Sequence, residues 1–228
     1  MRMVTFAGPP STGKTSVVVQ ALRRTSIAKE RTAVVKFDCL ASSDSEIYQS
    51  NGIASFTGLS AGQCPDHYFA SNVPAVCEWG AAKNLDLLIT ESAGLCNRCS
   101  PYIEGVLAVC VIDFLAGIGA PSKIGPLLRM ADAVVLTKGD MVSQAEREVF
   151  AHRIRKLAPH AQVIAVNGLT GQGSIRVAKL LESAPSLATL EERELRFATP
   201  SALCSYCLGE KRLGPDYRMG NTREIGLP

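Results

Sequence analysis

The chain has 228 residues, of which 46% are hydrophobic and 20% are charged, and its formal net charge is +3. These proportions suit one compact domain, or one domain with a short appendage, and they allow a sizeable buried core. The basic and acidic residues are interspersed and form no basic stripe with interleaved aromatics, so we expect no nucleic-acid partner.

The sequence contains no apolar run that approaches the roughly 18–20 residues needed to span a bilayer. The N-terminal residues lead directly into a glycine-rich segment and lack the longer apolar core and cleavage site of a signal peptide. We therefore expect a cytoplasmic protein with no membrane partner.

Short apolar runs alternate with helix-like segments, which is typical of a parallel sheet flanked by helices. In chain order, strands are predicted at 3–7, 33–37, 87–90, 106–112, 133–136 and 163–166, and helices at 14–27, 66–83, 126–130, 143–157 and 174–181. The polar stretch 39–64 is predicted to be a long loop, and such loops are usually functional or mobile. The predicted fold is α/β, a three-layer sandwich with a mostly parallel central sheet.

The composition changes near residue 185, where a charged segment at 191–194 is followed by a tail rich in glycine and arginine. The tail carries Cys204 and Cys207. We predict a main domain at 1–185 and a short cysteine-containing appendage at 186–228, rather than a second full domain.

Residues 8–15 form a complete phosphate-binding pattern, which we call the phosphate loop, between the first predicted strand and helix. Backbone N–H groups of such a loop point at phosphate oxygens, and the following helix N-terminus adds its dipole. Lys14 would reach the β- and γ-phosphates, and the Thr15 hydroxyl would bind Mg²⁺. A glycine-rich turn without a ligand is the alternative. The residues assigned to nucleotide binding here are Gly8, Ser11, Thr12, Gly13, Lys14, Thr15 and Ser16.

Residues 136–140 follow an apolar strand and resemble the Asn-Lys-x-Asp motif with which GTPases recognise guanine, although Thr137 replaces the asparagine. The Asp140 carboxylate would accept hydrogen bonds from guanine N1–H and the 2-amino group, which adenine does not offer. The aliphatic part of Lys138 would lie against the base. Further along, Asn167 and Gly168 stand where GTPases place a backbone N–H that contacts guanine O6, or they form an ordinary turn. GTP is therefore favoured over ATP.

Together these motifs resemble the P-loop GTPases of metalloenzyme maturation: the hydrogenase nickel-incorporation, urease accessory and cobalamin-biosynthesis GTPases. The resemblance covers residues 3–181. It implies that Asp38 helps to bind Mg²⁺, that Asp44 positions metal and water, and that Glu91 and Gly94 sense the γ-phosphate. Asp38 as a turn-forming residue and Asp44 as a solvated loop residue are the alternatives. The resemblance also implies slow GTP hydrolysis, a homodimer that holds or delivers a metal, and a target metalloenzyme or its assembly factor as partner.

The sequence has eight cysteines, a notable number because structural disulfides are rare in reducing compartments. Cys77 and Cys110 fit small core residues. Cys64, followed by Pro65, Asp66 and His67, resembles the Cys-Pro-His metal motif of the urease accessory GTPases with Asp66 inserted. A thiolate and an imidazole are good ligands for Ni²⁺ or Zn²⁺, and a two-fold dimer would supply four of them. The alternative is a helix-start cysteine with a surface histidine.

Two Cys-x-x-Cys pairs, Cys96/Cys99 and Cys204/Cys207, offer the usual spacing for Zn²⁺ or for one edge of an iron–sulfur cluster. A redox dithiol is a further interpretation of the first pair. The second pair would fold back onto the first, complete a site across a dimer, hold metal with a partner protein, or form a structural knuckle.

The leading functional hypothesis is a GTP-hydrolysing metallochaperone that couples nucleotide state to metal binding or delivery. The alternatives are a nucleotide-gated iron–sulfur or redox ATPase or GTPase, and a non-catalytic nucleotide-gated scaffold for a partner enzyme.

Overall fold

The structure is a computed structural model that describes residues 1–94, 99–198, 209–218 and 223–228. The strands of these ranges are β1 (Arg2–Ala7), β2 (Thr32–Asp38), β3 (Ala54–Leu59), β4 (Leu87–Ser92), β5 (Leu107–Asp113), β6 (Ala133–Thr137) and β7 (Gln162–Ala165). They form one sheet in the order β3-β2-β4-β1-β5-β6-β7, and the neighbouring strands are parallel. The predicted α/β fold with a parallel central sheet is confirmed.

Helices cover both faces of this sheet. In the described ranges they are α1 (Lys14–Leu22), α2 (Asp44–Ser50), α3 (Pro65–Ala82), α4 (Ala120–Lys123), α5 (Gly125–Arg129), α6 (Gln144–Leu157) and α7 (Ser174–Ser183). Local sequence sets several of their starts. A proline opens α3, where its missing N–H costs nothing, and Ser143 and Glu146 form a capping box at the start of α6.

The prediction of a long loop at 39–64 was wrong, because this segment forms α2 and β3. Most of its residues are polar, but Tyr48 and Ile53 are buried in the core and hold α2 against the sheet. β3 is an edge strand whose residues are mostly only partly buried, so it lacks the apolar pattern of a central strand.

The first helix ends at Leu22 rather than near residue 27. The hydroxyl groups of Thr25 and Ser26 both donate hydrogen bonds to the Glu182 carboxylate on α7, at 3.1 and 2.9 Å. Ser and Thr side chains compete with helical hydrogen bonding in this way, and the chain leaves α1 to meet α7.

The core lies on both faces of the sheet because the strand residues alternate. Val34 and Val111 pack with α1, α2 and α7 on one face, whereas Phe37 packs with α3 on the other. Cys77 and Cys110 are 1% and 0% exposed, so their predicted role as core residues is confirmed. Burial raises the pKa of the Cys110 thiol to about 12, and the group stays protonated at neutral pH.

The described residues beyond 185 pack against the α3 face of the sheet. Leu187 and Leu195 are buried there. Both terminal guanidinium nitrogens of Arg196 donate hydrogen bonds to the Asp132 carboxylate, each at 2.8 Å. Near the end of the chain, the Ile225 N–H donates to the Asn72 side chain on α3 at 2.9 Å. The boundary between a main domain at 1–185 and an appendage at 186–228 stays a prediction. The metal-binding roles of Cys204 and Cys207 also stay predictions, because both residues lie outside the described ranges.

Helix α3 contains a proline, Pro74, in its interior. A proline has no N–H to donate to the carbonyl four residues earlier, which here belongs to Ala70. The Gly214 N–H donates to that carbonyl instead, at 2.9 Å. A main-chain hydrogen bond from the C-terminal segment therefore replaces the helical hydrogen bond that Pro74 cannot make.

Within the described residues, no helix combines the length and apolar character needed to cross a bilayer. The carboxyl ends of the parallel strands meet at one edge of the sheet, where open α/β folds place their ligand sites. The candidate functional residues lie at this edge.

Candidate functional site

The phosphate loop connects β1 to α1 and has a backbone that requires glycine. Gly8 has φ of +149°, and a Cβ atom there would lie 1.9 Å from the Val111 carbonyl oxygen. Gly13 has φ of +84°, a left-handed conformation, directly before the first turn of α1. The loop and helix N-terminus thus form the predicted cradle for an anionic group.

Lys14 folds back over the phosphate loop. Its Nζ donates to the carbonyl oxygens of Gly8 and Pro9, both at 3.0 Å. Burial lowers the pKa of this ammonium, although the nearby Glu91 carboxylate partly opposes the shift. The charge lies above the cradle, where phosphate oxygens can replace the two carbonyl oxygens as its acceptors.

Glu91 lies at the centre of a buried hydrogen-bond cluster. The Thr15 hydroxyl donates to Glu91 Oε1 at 3.1 Å, and the Tyr48 hydroxyl donates to Oε2 at 2.5 Å. Glu91 is only 1% exposed. Burial raises the pKa of Tyr48 well above its usual value, and the neighbouring Glu91 charge raises it further, so the phenol remains a donor. Tyr48 was missed by the sequence analysis.

Three carboxylates surround the ammonium of Lys36, a residue that the sequence analysis also missed. Lys36 Nζ lies 3.2 Å from Asp38 Oδ2 and 3.9 Å from Glu91 Oε1, and it forms an ion pair with Asp44. A lysine in the middle of an otherwise apolar strand was the available signal. The carboxylate oxygens already surround a cation in this structure, so the set fits positive charge.

These side chains line one cavity of about 370 Å³ beside the phosphate loop. The structure therefore brings together the predicted Lys14, Thr15, Asp38, Asp44 and Glu91. In the described ranges, no three His, Cys, Asp or Glu side chains form a group able to hold a metal by themselves. Mg²⁺ usually needs only one or two carboxylates, because nucleotide phosphates and water complete its coordination. Other residues of the cavity are Pro10, Ser11, Gly13, Ser16, Lys36, Ile47 and Ala93.

The segment that follows Glu91 contacts the phosphate loop directly. Gly94 has φ of +69°, and a Cβ atom there would lie 1.7 Å from the Gly8 carbonyl oxygen. This is the same oxygen that accepts from Lys14. The predicted γ-phosphate sensor and the phosphate loop thus share a backbone contact that leaves no space for a side chain.

The predicted base-recognition residues lie at the other end of the site. Thr137 donates its hydroxyl hydrogen to the Thr12 carbonyl at 2.6 Å, which ties β6 to the phosphate loop. Lys138 Nζ donates to the Ser11 carbonyl and to Asp113 Oδ2, both at 2.7 Å. Asp113 at the end of β5 was not identified from the sequence, and it holds Lys138 in place.

Asp140 and Asn167 line a second cavity, of about 320 Å³, together with Phe114 and Leu136. Asp140 is exposed. Asn167 Oδ1 accepts hydrogen bonds from two backbone N–H groups of its own turn, at 2.9 and 3.0 Å, so its side chain shapes the turn. Gly168 lies against Ser16, where a Cβ atom would be 3.2 Å from the serine Cβ. The structure therefore brings Asp140 and Asn167 to one crevice, whereas Thr137 and Lys138 contact the phosphate loop and Gly168 contacts α1.

Cys64 and His67 lie at the start of α3. Cys64 is the half-buried N-cap residue, and His67 is 2% exposed, so the alternative of a surface histidine was wrong. Burial, reinforced by Arg218, lowers the pKa of His67. Cys99 is also buried, whereas Cys96 lies outside the described residues.

Asp66 links this first turn of α3 to the nucleotide side of the sheet. The Ser92 hydroxyl donates to Asp66 Oδ1 at 3.1 Å, and both side chains are buried. Ser92 directly follows Glu91 at the end of β4. The inserted residue of the Cys-Pro-Asp-His sequence is thus a bridge to the predicted γ-phosphate sensor.

The chain is similar to known nucleotide-binding proteins. Residues 2–165 match the family model described as CobW/HypB/UreG, nucleotide-binding domain. An uncharacterised protein of Methanocaldococcus jannaschii is 42% identical over 225 residues, which cover 99% of this chain and 96% of that protein.

Two solved structures share the fold at low sequence identity. The hydrogenase maturation factor HypB of Archaeoglobus fulgidus has a TM-score of 0.63 and 19% identity, covering 80% of this chain and 89% of its own. HypB of Helicobacter pylori, solved in complex with nickel, has a TM-score of 0.64 and 18% identity, covering 83% and 91%. Both likenesses support the P-loop architecture of the sheet and its helices.

Proposed function

This chain belongs to the CobW/HypB/UreG family of nucleotide-binding proteins, and on that premise we propose that it is a GTP-hydrolysing metallochaperone that couples nucleotide state to metal binding or delivery. The observation that carries this proposal is the cavity beside the phosphate loop. There Lys14, the Thr15 hydroxyl and the Glu91 carboxylate converge at the end of three adjacent parallel strands and one helix.

The phosphate end of the site provides the chemistry of hydrolysis. The phosphate-loop N–H groups bind the β- and γ-phosphates, and Lys14 exchanges its two carbonyl acceptors for phosphate oxygens. Thr15 and Asp38 hold Mg²⁺, which when bound neutralises charge on the phosphates. Asp44 positions the metal and the attacking water, and Glu91 and Gly94 sense the γ-phosphate. Turnover is slow until a partner completes the site.

The base end provides selectivity for guanine. Asp140 accepts from N1–H and the 2-amino group, and the Gly168 N–H contacts O6. The stem of Lys138 covers the base because its ammonium is fixed by Asp113 and the Ser11 carbonyl. ATP lacks the donors that Asp140 needs and binds more weakly.

The transition metal is cargo rather than a cofactor of hydrolysis. Cys64 and His67 bind Ni²⁺ or Zn²⁺, assisted by Cys96/Cys99 or Cys204/Cys207, and a homodimer supplies a second set of ligands. The relative from Helicobacter pylori was solved with nickel, which makes nickel the first metal to test. The bond between Asp66 and Ser92 couples this turn to Glu91. The partner that receives the metal is a target metalloenzyme or its assembly factor.

Replacing Lys14 with alanine tests the nucleotide proposal. We expect Lys14→Ala to abolish GTP turnover and to weaken binding of a fluorescent GTP analogue strongly, because the γ-phosphate loses its principal cation. Lys83→Ala removes an exposed lysine and serves as the matched control. Unchanged binding and turnover in Lys14→Ala would contradict the proposal.

Metal analysis of anaerobically purified protein tests the cargo proposal. We expect nickel or zinc to be retained, to differ between nucleotide-free protein and protein with a non-hydrolysable GTP analogue, and to be reduced in Cys64→Ser and His67→Ala. Metal content that is independent of nucleotide and of both substitutions would refute the coupling. Iron with visible absorbance would instead favour an iron–sulfur protein.

A further inference from the structure

Lys36 occupies an unusual position for a lysine. It lies on β2 directly opposite Glu91 of β4 in the parallel register, and its side chain is only 10% exposed. It faces the same side of the sheet as the buried Val34 two residues earlier, which is the side covered by α1 and α2. The strand alternation therefore directs its ammonium into the cavity beside the phosphate loop.

Three carboxylates lie around this ammonium, and the Lys14 ammonium lines the same cavity. Asp38, Asp44 and Glu91 each have a carboxylate oxygen within 4 Å of Lys36 Nζ. Buried charge is costly unless it is paired, and carboxylates that share a small space repel one another. Lys36 is thus the counter-ion that allows the three carboxylates to lie together.

The same cluster holds α2 over the cavity. Asp44, the first residue of α2, pairs with Lys36, and Tyr48, one turn later, donates to Glu91. Residues four apart lie on the same side of a helix, so both contacts act on one face. Lys36 fixes the first of these two contacts.

We propose that Lys36 is a tethered cation that competes with Mg²⁺ for the carboxylates of Asp38, Asp44 and Glu91. This inference rests on the proposed function, since it assumes that Mg²⁺ enters with the nucleotide. When the divalent ion arrives, the Lys36 ammonium gives up its ion pairs and Asp44 is released. The nucleotide-free protein thereby keeps α2 in place and resists Mg²⁺ until a nucleotide brings phosphate ligands for it.

The competition predicts a specific effect of removing the charge. We would measure the affinity of the full chain for N-methylanthraniloyl-GDP as a function of Mg²⁺ concentration. Lys36→Met keeps the length and apolar stem of the side chain but removes the ammonium. We expect the Mg²⁺ concentration at half-maximal effect to fall by about tenfold, a usual size for coupled sites.

Three further variants complete the experiment. Lys36→Arg keeps the cation and should retain the wild-type midpoint, which is the Mg²⁺ concentration at half-maximal effect. Lys83→Met controls for loss of an exposed lysine. Lys36→Gln keeps a hydrogen-bond donor without charge, and it should lower the midpoint like Lys36→Met even where the methionine variant folds poorly. Hydrogen–deuterium exchange of α2 in nucleotide-free protein should be faster in the two uncharged variants.

The outcomes separate this inference from the proposed function. If nucleotide affinity depends on Mg²⁺ with the same midpoint in all variants, Lys36 does not compete and the inference is overturned alone. The same affinities would be measured with N-methylanthraniloyl-GTP. If Lys36→Met leaves the Mg²⁺ midpoint unchanged but weakens binding of this triphosphate alone, Lys36 binds the γ-phosphate instead, and the inference is overturned. If no variant, including wild type, binds the nucleotide or responds to Mg²⁺, the proposed function itself fails.

Discussion

The phosphate end and the base end of the crevice are built differently. At the phosphate end, Lys14, Lys36 and Glu91 are each less than 9% exposed and are bound to one another or to the loop carbonyls. At the base end, Asp140 is exposed and the side chain of Asn167 is used within its own turn. A change at the phosphate end leaves a buried charge without its partner, whereas a change at the exposed Asp140 does not.

This difference suggests a division of tasks. The buried end links nucleotide chemistry to the fold, because its hydrogen bonds run from α1 through β4 to α2. The open end, in our proposal, sets selectivity for the base without controlling stability. The predictions below test whether the two ends can be separated in this way.

The largest effect is expected from Gly8→Ala. The new Cβ would meet the Val111 carbonyl at 1.9 Å in a backbone conformation that suits glycine, so the loop must move. We expect a loss of roughly 3 kcal/mol in the free energy of unfolding and loss of nucleotide binding. Gly119→Ala is the matched control, since a Cβ there meets nothing within 4 Å. Nucleotide binding at wild-type affinity in Gly8→Ala would show that the loop is not the cradle.

A smaller effect, on both stability and GTP turnover, is expected from Glu91→Gln. The amide keeps one oxygen, so either Thr15 or Tyr48 loses its acceptor, which costs about 1–3 kcal/mol for a buried donor. We expect a lower melting temperature and GTP turnover reduced about a hundredfold. Glu148→Gln changes an exposed glutamate on α6 and serves as control. Normal turnover with a lowered melting temperature would limit Glu91 to a structural role.

The smallest effect on the fold is expected from Asp140→Asn. The residue is exposed, so the melting temperature should stay within experimental error of wild type. The preference for GTP over ATP should fall on the order of tenfold, because an ionised acceptor is lost. Competition between GTP and xanthosine triphosphate provides a second measurement, since the asparagine suits the latter base. An unchanged order of nucleotide preference would place base recognition elsewhere.

Sequence reasoning found the parts of the site that are local in the chain. The phosphate loop requires its glycines, lysine and threonine at adjacent positions, so eight residues between a strand and a helix suffice to predict it. Asp38 and Glu91 were assigned through the family resemblance and Asp140 through its motif, and each of the three ends or follows an apolar strand. All of these lie at the carboxyl edge of the sheet, because the carboxyl ends of parallel strands meet there.

The residues that were missed depend on tertiary structure. Lys36 becomes informative only when the register places it opposite Glu91, a residue 55 positions further along the chain. Tyr48 is surrounded by polar neighbours, and its burial follows from the position of α2 on the sheet. A lysine within an apolar strand is a local signal for Lys36 that does not identify its partners, and Tyr48 has no local signal at all.

The interior proline of α3 has a consequence for how the chain end is attached. Because Pro74 leaves the Ala70 carbonyl without its helical donor, that oxygen is a free acceptor that only an outside N–H can satisfy, and Gly214 supplies one. This part of the attachment is encoded by a missing group in the helix, and it acts beside the buried side chains of Leu213 and Ile225. Gly214 has φ of +114°, a conformation that suits glycine, so a side chain at position 214 would strain the segment and weaken this bond. A residue with an N–H at position 74 would compete for the oxygen from within the helix and weaken the hold on the tail.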